Sequence, residues 1–220
     1  MKKRTFLKGL CMTIASSLLA AVLPVGAMAA DASTELTIKA TADVDIRASK
    51  GDATIADKNY EGAETLRAFR NGQKNATGGY PAEAWVRFDF SEIKIPAGKQ
   101  IDTAKVKIYL QNYKNGAVAD NRYAAAPLDL YAMTDGTYDP ATVTWNTEGR
   151  PQTTEVIATT TLCPENVFTQ RDSYEFDISE YMKGMSEFNG NKTFAFYPTN
   201  TNKLDVYIYA SEQSEDFLLH

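Results

Sequence analysis

Histidine is almost missing from this chain: one residue in 220, His220. That scarcity removes a Ser-His-Asp triad and any His-rich zinc site from consideration. Cysteine is nearly as rare, with only Cys11 and Cys163. A basic excess is lacking too, since 23 Lys and Arg face 28 Asp and Glu. A nucleic-acid binder would show the opposite footprint. Yet 44% of residues are hydrophobic and 24 are aromatic (12 Tyr, 10 Phe, 2 Trp). Such a chain is too apolar to stay disordered and is expected to bury a core.

The one long uncharged apolar stretch, Gly9 to Val22, follows Lys2, Lys3, Arg4 and Lys8 and ends before Pro24. It is shorter than the roughly 20 residues a membrane span needs. With Ala27-Met28-Ala29 behind it, the pattern predicts a secretory signal peptide over residues 1–29, cut after Ala29. Cleavage leaves 19 basic against 28 acidic residues and moves the net charge from −5 to −9. It also removes Cys11, so Cys163 is left without a partner for a disulfide. Cys11 precedes its hydrophobic run, whereas a lipoprotein cysteine would follow one. Residues 30–220 are expected to form a single domain, secreted or at the cell surface, monomeric, and free of the membrane once cleaved.

Beyond that stretch the hydrophobic period is two. Val86, Phe88 and Phe90 alternate with Trp85, Arg87 and Asp89, and Val106, Ile108 and Leu110 alternate with Lys105, Lys107 and Tyr109. The same rhythm predicts strands at Leu36–Ala40, Asp45–Arg47, Thr65–Arg70, Leu128–Ala132, Val156–Thr161, Ser173–Asp177, Thr193–Pro198 and Leu204–Ala210. About ten strands with turn-rich connections predict an all-β, antiparallel sandwich of jelly-roll type. A short helical turn is expected over Ser179–Met185 with Ser179 as cap, and a turn or a single helical turn at Asp139–Thr142. The long connections Asn71–Pro81 and Tyr113–Pro127 are natural places for binding.

Several phrases occur in the order seen in a known family. They are Ala42-Asp43-Val44-Asp45-Ile46-Arg47, Ala56-Asp57-Lys58-Asn59-Tyr60-Glu61 and Trp85-Val86-Arg87-Phe88-Asp89-Phe90-Ser91. Thr103 to Tyr109, Thr142-Val143-Thr144-Trp145-Asn146, Phe176-Asp177-Ile178-Ser179 and Tyr209-Ala210-Ser211-Glu212 follow. Together they resemble the DNRLRE-type β-sandwich modules, classed with carbohydrate-binding modules and found beside bacterial polysaccharide lyases and glycosidases. The resemblance implies a jelly roll, a polysaccharide partner and secreted polysaccharide-degrading enzymes as companions.

On the strands, Arg67, Trp85, Arg87, Lys107 and Tyr109 fall at outward positions. If their strands share a sheet, they form a basic, aromatic face where rings stack on sugars and Arg forks grip carboxylates or sulfates. Otherwise they are ordinary solvated residues with cross-strand charge pairs. Tyr113 and Tyr123, flanking Asn115, Asp120, Asn121 and Arg122, offer a second platform in the long connection. Trp145 reads as a packing residue more readily than a stacking one. Asp43, Asp45, Asp57 and Asn59 raise the question of structural calcium, with turn capping as the alternative. No acid-base constellation clusters in the sequence, so a non-catalytic polysaccharide-binding module for acidic or plant and algal cell-wall glycans is the leading expectation. A structural or adhesive surface domain comes second, and a lyase or glycosidase third.

Overall fold

A computed structural model describes residues 11–18, 34–48, 52–70, 81–134, 138–199 and 203–210. In chain order they form β1 (Cys11–Leu18), β2 (Thr34–Arg47), α1 (Ala53–Ala56), β3 (Thr65–Arg70), β4 (Ala82–Asp89), β5 (Lys99–Asn115) and β6 (Ala126–Met133). Then come β7 (Thr153–Leu162), β8 (Ser173–Asp177), α2 (Ser179–Lys183), β9 (Asn191–Tyr197) and β10 (Leu204–Tyr209). The strands are hydrogen-bonded in the order β2-β1-β5-β10-β3-β4-β9-β6-β7, with β8 on β5 and β2 returning to β4. Every pairing is antiparallel, and the nearly closed sheet is the all-β sandwich of jelly-roll type that the period-two pattern predicts.

The expected inward set is the centre of the core: Val86, Phe88, Phe90, Val106, Ile108 and Leu110 are all 0% exposed. Phe88 tilts against Phe194 at 6.0 Å between ring centroids, and Phe176 meets Phe196 edge-on at 5.2 Å. Such offset and edge contacts suit the quadrupoles of the rings and fill the space between the two layers.

The two strands expected at Leu36–Ala40 and Asp45–Arg47 are one continuous strand, β2. It changes faces at a bulge. Ala40 stands opposite Phe88, but Ala42 stands opposite Arg87, so one residue is extra on β2 between them. An extra residue reverses which parity looks inward. Ile38 and Ala40 therefore join the main core, whereas Val44 and Ile46 join a second apolar cluster on the other side of the sheet. Asp43 and Asp45, opposite Val86 and Ala84, are turned to the main-core side and are buried.

α2 lies where a helical turn is expected, but its cap differs. Ser179 is the first helical residue, and its N–H donates to the carboxylate of Asp177 at 2.9 Å. The Ser179 hydroxyl instead accepts from the N–H of Ala104 at 3.0 Å and ties the helix to β5. Asp139–Thr142 is a turn, closed by Thr142 N–H donating to Asp139 O at 3.1 Å. Cys163 is a free, buried thiol that accepts a long contact from the Tyr174 hydroxyl at 3.8 Å. β1 falls inside the run expected as a signal peptide and pairs on one side with β2 and on the other with β5.

Candidate functional site

The residues expected on one outward face are distributed over three places. Trp85 and Arg87 lie on β4, on the side of the sheet away from the main core. Cross-strand registers define the rows there: Val44, Trp85, Ala195 and Tyr131 form one, and Ala42, Arg87 and Thr193 another. This side is not open. The segment 138–150 folds over it, placing Tyr138 edge-on to Trp85 at 5.3 Å and Val143 in the same cluster. Trp85 is 0% exposed and donates its Nε1–H to Glu83 at 2.9 Å, so it is a core residue of a second apolar cluster and not an exposed platform. Period two assigns it correctly to the outer side, but nothing local in the sequence announces the covering segment fifty residues on.

Arg87 is held in the same way. Its Nη1–H donates to Tyr138 O at 3.1 Å, and its guanidinium lies 5.1 Å from the Tyr138 ring. Trp145 is half-buried against the cluster, with Arg150 over its ring at 4.6 Å, in keeping with a packing role. Burial raises the Glu83 carboxyl above its ordinary value, against the Trp85 hydrogen bond and the Arg150 charge, which pull it down.

Lys107 and Tyr109 are elsewhere, on the stretch of β5 that pairs with β8, opposite Glu175 and Ser173. They stack on one another, with the Lys107 ammonium 5.4 Å from the Tyr109 ring. Neither joins Trp85 or Arg87, because β5 and β4 are not adjacent.

The four residues considered for calcium are also apart in role. Asp45 accepts from Arg47 Nε at 2.6 Å, and burial lifts its carboxyl above the usual value despite that partner. Asp57 accepts from Asn146 Nδ2 at 2.7 Å. Asn59 donates to Pro140 O at 2.9 Å and Val143 O at 2.7 Å, pinning the covering segment to the loop after α1. Asp43 is buried two rows from Asp45, on the same side of the sheet. Among the described residues no three His, Cys, Asp or Glu side chains are grouped so as to hold a metal ion.

Arg67 belongs to the third place, the outer side of β3, β10 and the C-terminal half of β5. It forms a fork with Asp205, Nε and Nη2 donating at 2.7 and 2.8 Å, and its guanidinium lies 4.4 Å from the ring of Phe69. Opposite it on β10 is Tyr207. At the end of this surface is a groove of about 440 Å³, lined by Phe69, Lys114, Gly116, Arg122, Lys203 and Asp205 among others. Lys114, Arg122 and Lys203 are all exposed, while Asp205, the one acid among the described lining residues, is already engaged by Arg67. Gly116 lets two segments close the groove: its N–H donates to Lys203 O at 3.0 Å, and a Cβ there would sit 3.2 Å from Lys203 Cβ.

Tyr113 and Tyr123 support this groove from beneath. Tyr113 is 1% exposed, with its hydroxyl donating to Ala124 O at 2.5 Å, so it is a buried anchor and not a sugar platform. Tyr123 is half-buried and stacks on Phe168 at 5.7 Å, and the Arg122 guanidinium lies 4.6 Å from its ring and donates to its hydroxyl. The long connection is thus a place where cations converge, although its tyrosines are spent on packing. Lys114 and Lys203 carry no sequence signal of their own, since only the β5–β10 register brings them together.

An apolar ring beside three exposed cations can hold a sugar by its face and an anionic substituent by its charge. A comparison with curated proteins finds no match for the chain. The sequence description of carbohydrate-binding module family 96 matches residues 34–219, which is most of the chain and nearly all of the sandwich, and on that match the chain belongs to carbohydrate-binding module family 96.

Proposed function

We propose that the chain, exported after loss of residues 1–29, is a non-catalytic polysaccharide-binding module that takes acidic glycans of the cell-wall type. The groove beside Phe69 is its site. The observation that carries this reading is the convergence of Lys114, Arg122 and Lys203 on one groove of a chain that is acidic overall. A local cationic surface focuses attraction on uronate or sulfate groups even though the protein as a whole is anionic. Phe69 offers an apolar floor for a sugar ring, and the Arg67–Asp205 fork holds that floor in place. The module acts as a monomer and brings secreted polysaccharide-degrading enzymes to their substrate.

The test is titration of residues 30–220 with uronate-rich, sulfated and neutral polysaccharides at low and high salt. Each exposed cation is expected to contribute about 1 kcal/mol, roughly fivefold in affinity. Lys114→Ala with Lys203→Ala should therefore weaken acidic-glycan binding by more than tenfold and flatten its salt dependence. Unchanged binding in that double variant would move the site away from the groove. Absence of binding to every glycan would favour a structural or adhesive surface domain.

A further inference from the structure

β5 opens with a lysine turned inward. Lys99 has the parity of Ile101, which is 3% exposed, so the period of two sends both side chains to the core side of the sheet. A lysine near a surface ordinarily covers its stem and keeps its ammonium in water. Lys99 does the reverse: the residue as a whole is half-buried, yet its Nζ is shut off from solvent and has no hydrogen-bond partner. No ion pair among the described residues includes it. A buried ammonium without a partner is costly, and an ion or ligand that completes it is one of the few explanations for its survival.

Lys99 lines a recess of about 340 Å³ between the start of β5 and the C-terminal end of α2. The floor of the recess is apolar. Ile101 and Met182 are buried members of the main core, and Ile95, Met185 and Phe188 pack against that core. Phe188 lies 6.4 Å from Phe90 between ring centroids, which fixes one aromatic wall. The two methionines are unbranched and adapt to an irregular guest. Gln100 and Lys183 complete the lining, and the exposed Lys183 is already paired with Glu180 at 3.0 Å. The charge left for a guest is therefore the positive charge of Lys99. An apolar cavity of about 150 Å³ holds a benzene ring, so this recess has room for a ring or a short alkyl chain together with a charged head.

We propose that this recess is a second binding site, which takes a small carboxylate with an apolar body, the head on Lys99 Nζ and the body against Met182, Met185 and Phe188. The ammonium donates to a carboxylate oxygen where water is excluded, the setting in which a charge-assisted hydrogen bond is strongest. A neutral guest of the same shape leaves the ammonium unpaired, and a bare anion leaves the apolar floor unfilled. The site thus selects the combination. Aromatic acids and medium-chain fatty acids share that chemistry. The recess is at the opposite end of β5 from Lys114, and no described residue lines both it and the groove beside Phe69. Its described lining comes from residues 95–101 and 182–188, so the proposal rests neither on export nor on glycan binding.

The experiment uses the full chain with isotope-labelled methionine methyls, titrated with cinnamate, octanoate and the neutral cinnamamide. A carboxylate is expected to bind one to one and to shift the Met182 and Met185 methyl resonances, leaving that of Met133, in the second apolar cluster, in place. Tighter binding of cinnamate assigns the site to aromatic acids, and tighter binding of octanoate to aliphatic ones. Cinnamamide should bind roughly tenfold or more weakly than cinnamate. Lys99→Met keeps the stem and removes the ammonium, so the preference for cinnamate over cinnamamide should vanish while the melting temperature does not fall. Three results overturn the proposal: Met182 and Met185 methyls unmoved by either carboxylate, cinnamamide bound as tightly as cinnamate by the unsubstituted chain, or a preference that survives Lys99→Met. The first two are read without the variant. Displacement of the carboxylate by an acidic polysaccharide also overturns it, by placing the probe in the groove.

Discussion

Val44 stands directly opposite Trp85 in the β2–β4 ladder, on the side of the sheet away from the main core. Both are 0% exposed. The pair marks a second apolar cluster, closed from above by Tyr138 and Val143 and rimmed by Trp145 and Arg150. Without the covering segment, an indole and several aliphatic groups would face water. The outer side of this half of the sandwich is thus devoted to stability, and the groove proposed for a ligand is on the β3–β10–β5 half.

Trp85→Ala should act on stability and not on glycan contact. Truncating a fully buried indole is expected to cost about 3–5 kcal/mol. Chemical denaturation should show a loss of that size. In conditions where the variant remains folded, its affinity for acidic glycans should match that of the parent. A stable Trp85→Ala protein with abolished binding would contradict the burial of this ring.

Gly116 connects fold and groove. Lys203 adopts a positive φ of 59°, and its Cβ and carbonyl oxygen lie 3.2 and 3.3 Å from where a Cβ on residue 116 would be. Backbone atoms have little freedom to retreat, so Gly116→Val should push the two segments apart at a cost of about 1–3 kcal/mol. Acidic-glycan binding should fall with it, because Lys114 and Lys203 would no longer meet. Titration and melting curves on one preparation read both effects.

Calcium addition or chelation should leave the melting temperature within a degree. Asp45 is committed to Arg47, Asp57 to Asn146, and the Asn59 amide to two carbonyls of the covering segment. Recruiting them to a cation would break those contacts. A rise of several degrees on adding calcium, measured by calorimetry, would show that the four residues rearrange into a site.

How much of this was legible in the sequence depends on the range over which each feature is determined. Strand positions such as Thr65–Arg70 and Ser173–Asp177 are local, since period two fixes them, and they agree residue for residue. The inward set around Phe88 follows from the same rule. The bulge between Ala40 and Ala42 is where that rule breaks: even-numbered residues stay apolar through it, so the pattern runs on while the faces exchange. Asp43 and Asp45 consequently read in the sequence as calcium-binding or turn-capping acids and are buried in the fold. The groove is less legible still. Phe69, Lys114 and Lys203 come from three strands or their ends, and only tertiary pairing unites them.

The last prediction concerns pH and rests on Glu83. Its carboxyl is half-buried beside Tyr197 and under Arg150, and burial raises its pKa above the ordinary 4.5, more than the Trp85 hydrogen bond and the Arg150 charge lower it. In the unfolded chain the group returns to its ordinary value. Between the two values the folded state holds more protons than the unfolded one, so this group favours folding more as pH falls through that window. Its contribution is complete below about 4.5 and is lost as pH rises through the folded value. Glu83→Gln carries no titrating proton and lacks this dependence. The difference in melting temperature, parent minus variant, should therefore increase steadily from neutral pH towards 4.5 and then level off. A difference that shrinks on acidification would mean that Glu83 is held by Arg150 as a stabilised carboxylate, and that charge pairing outweighs desolvation beneath the covering segment.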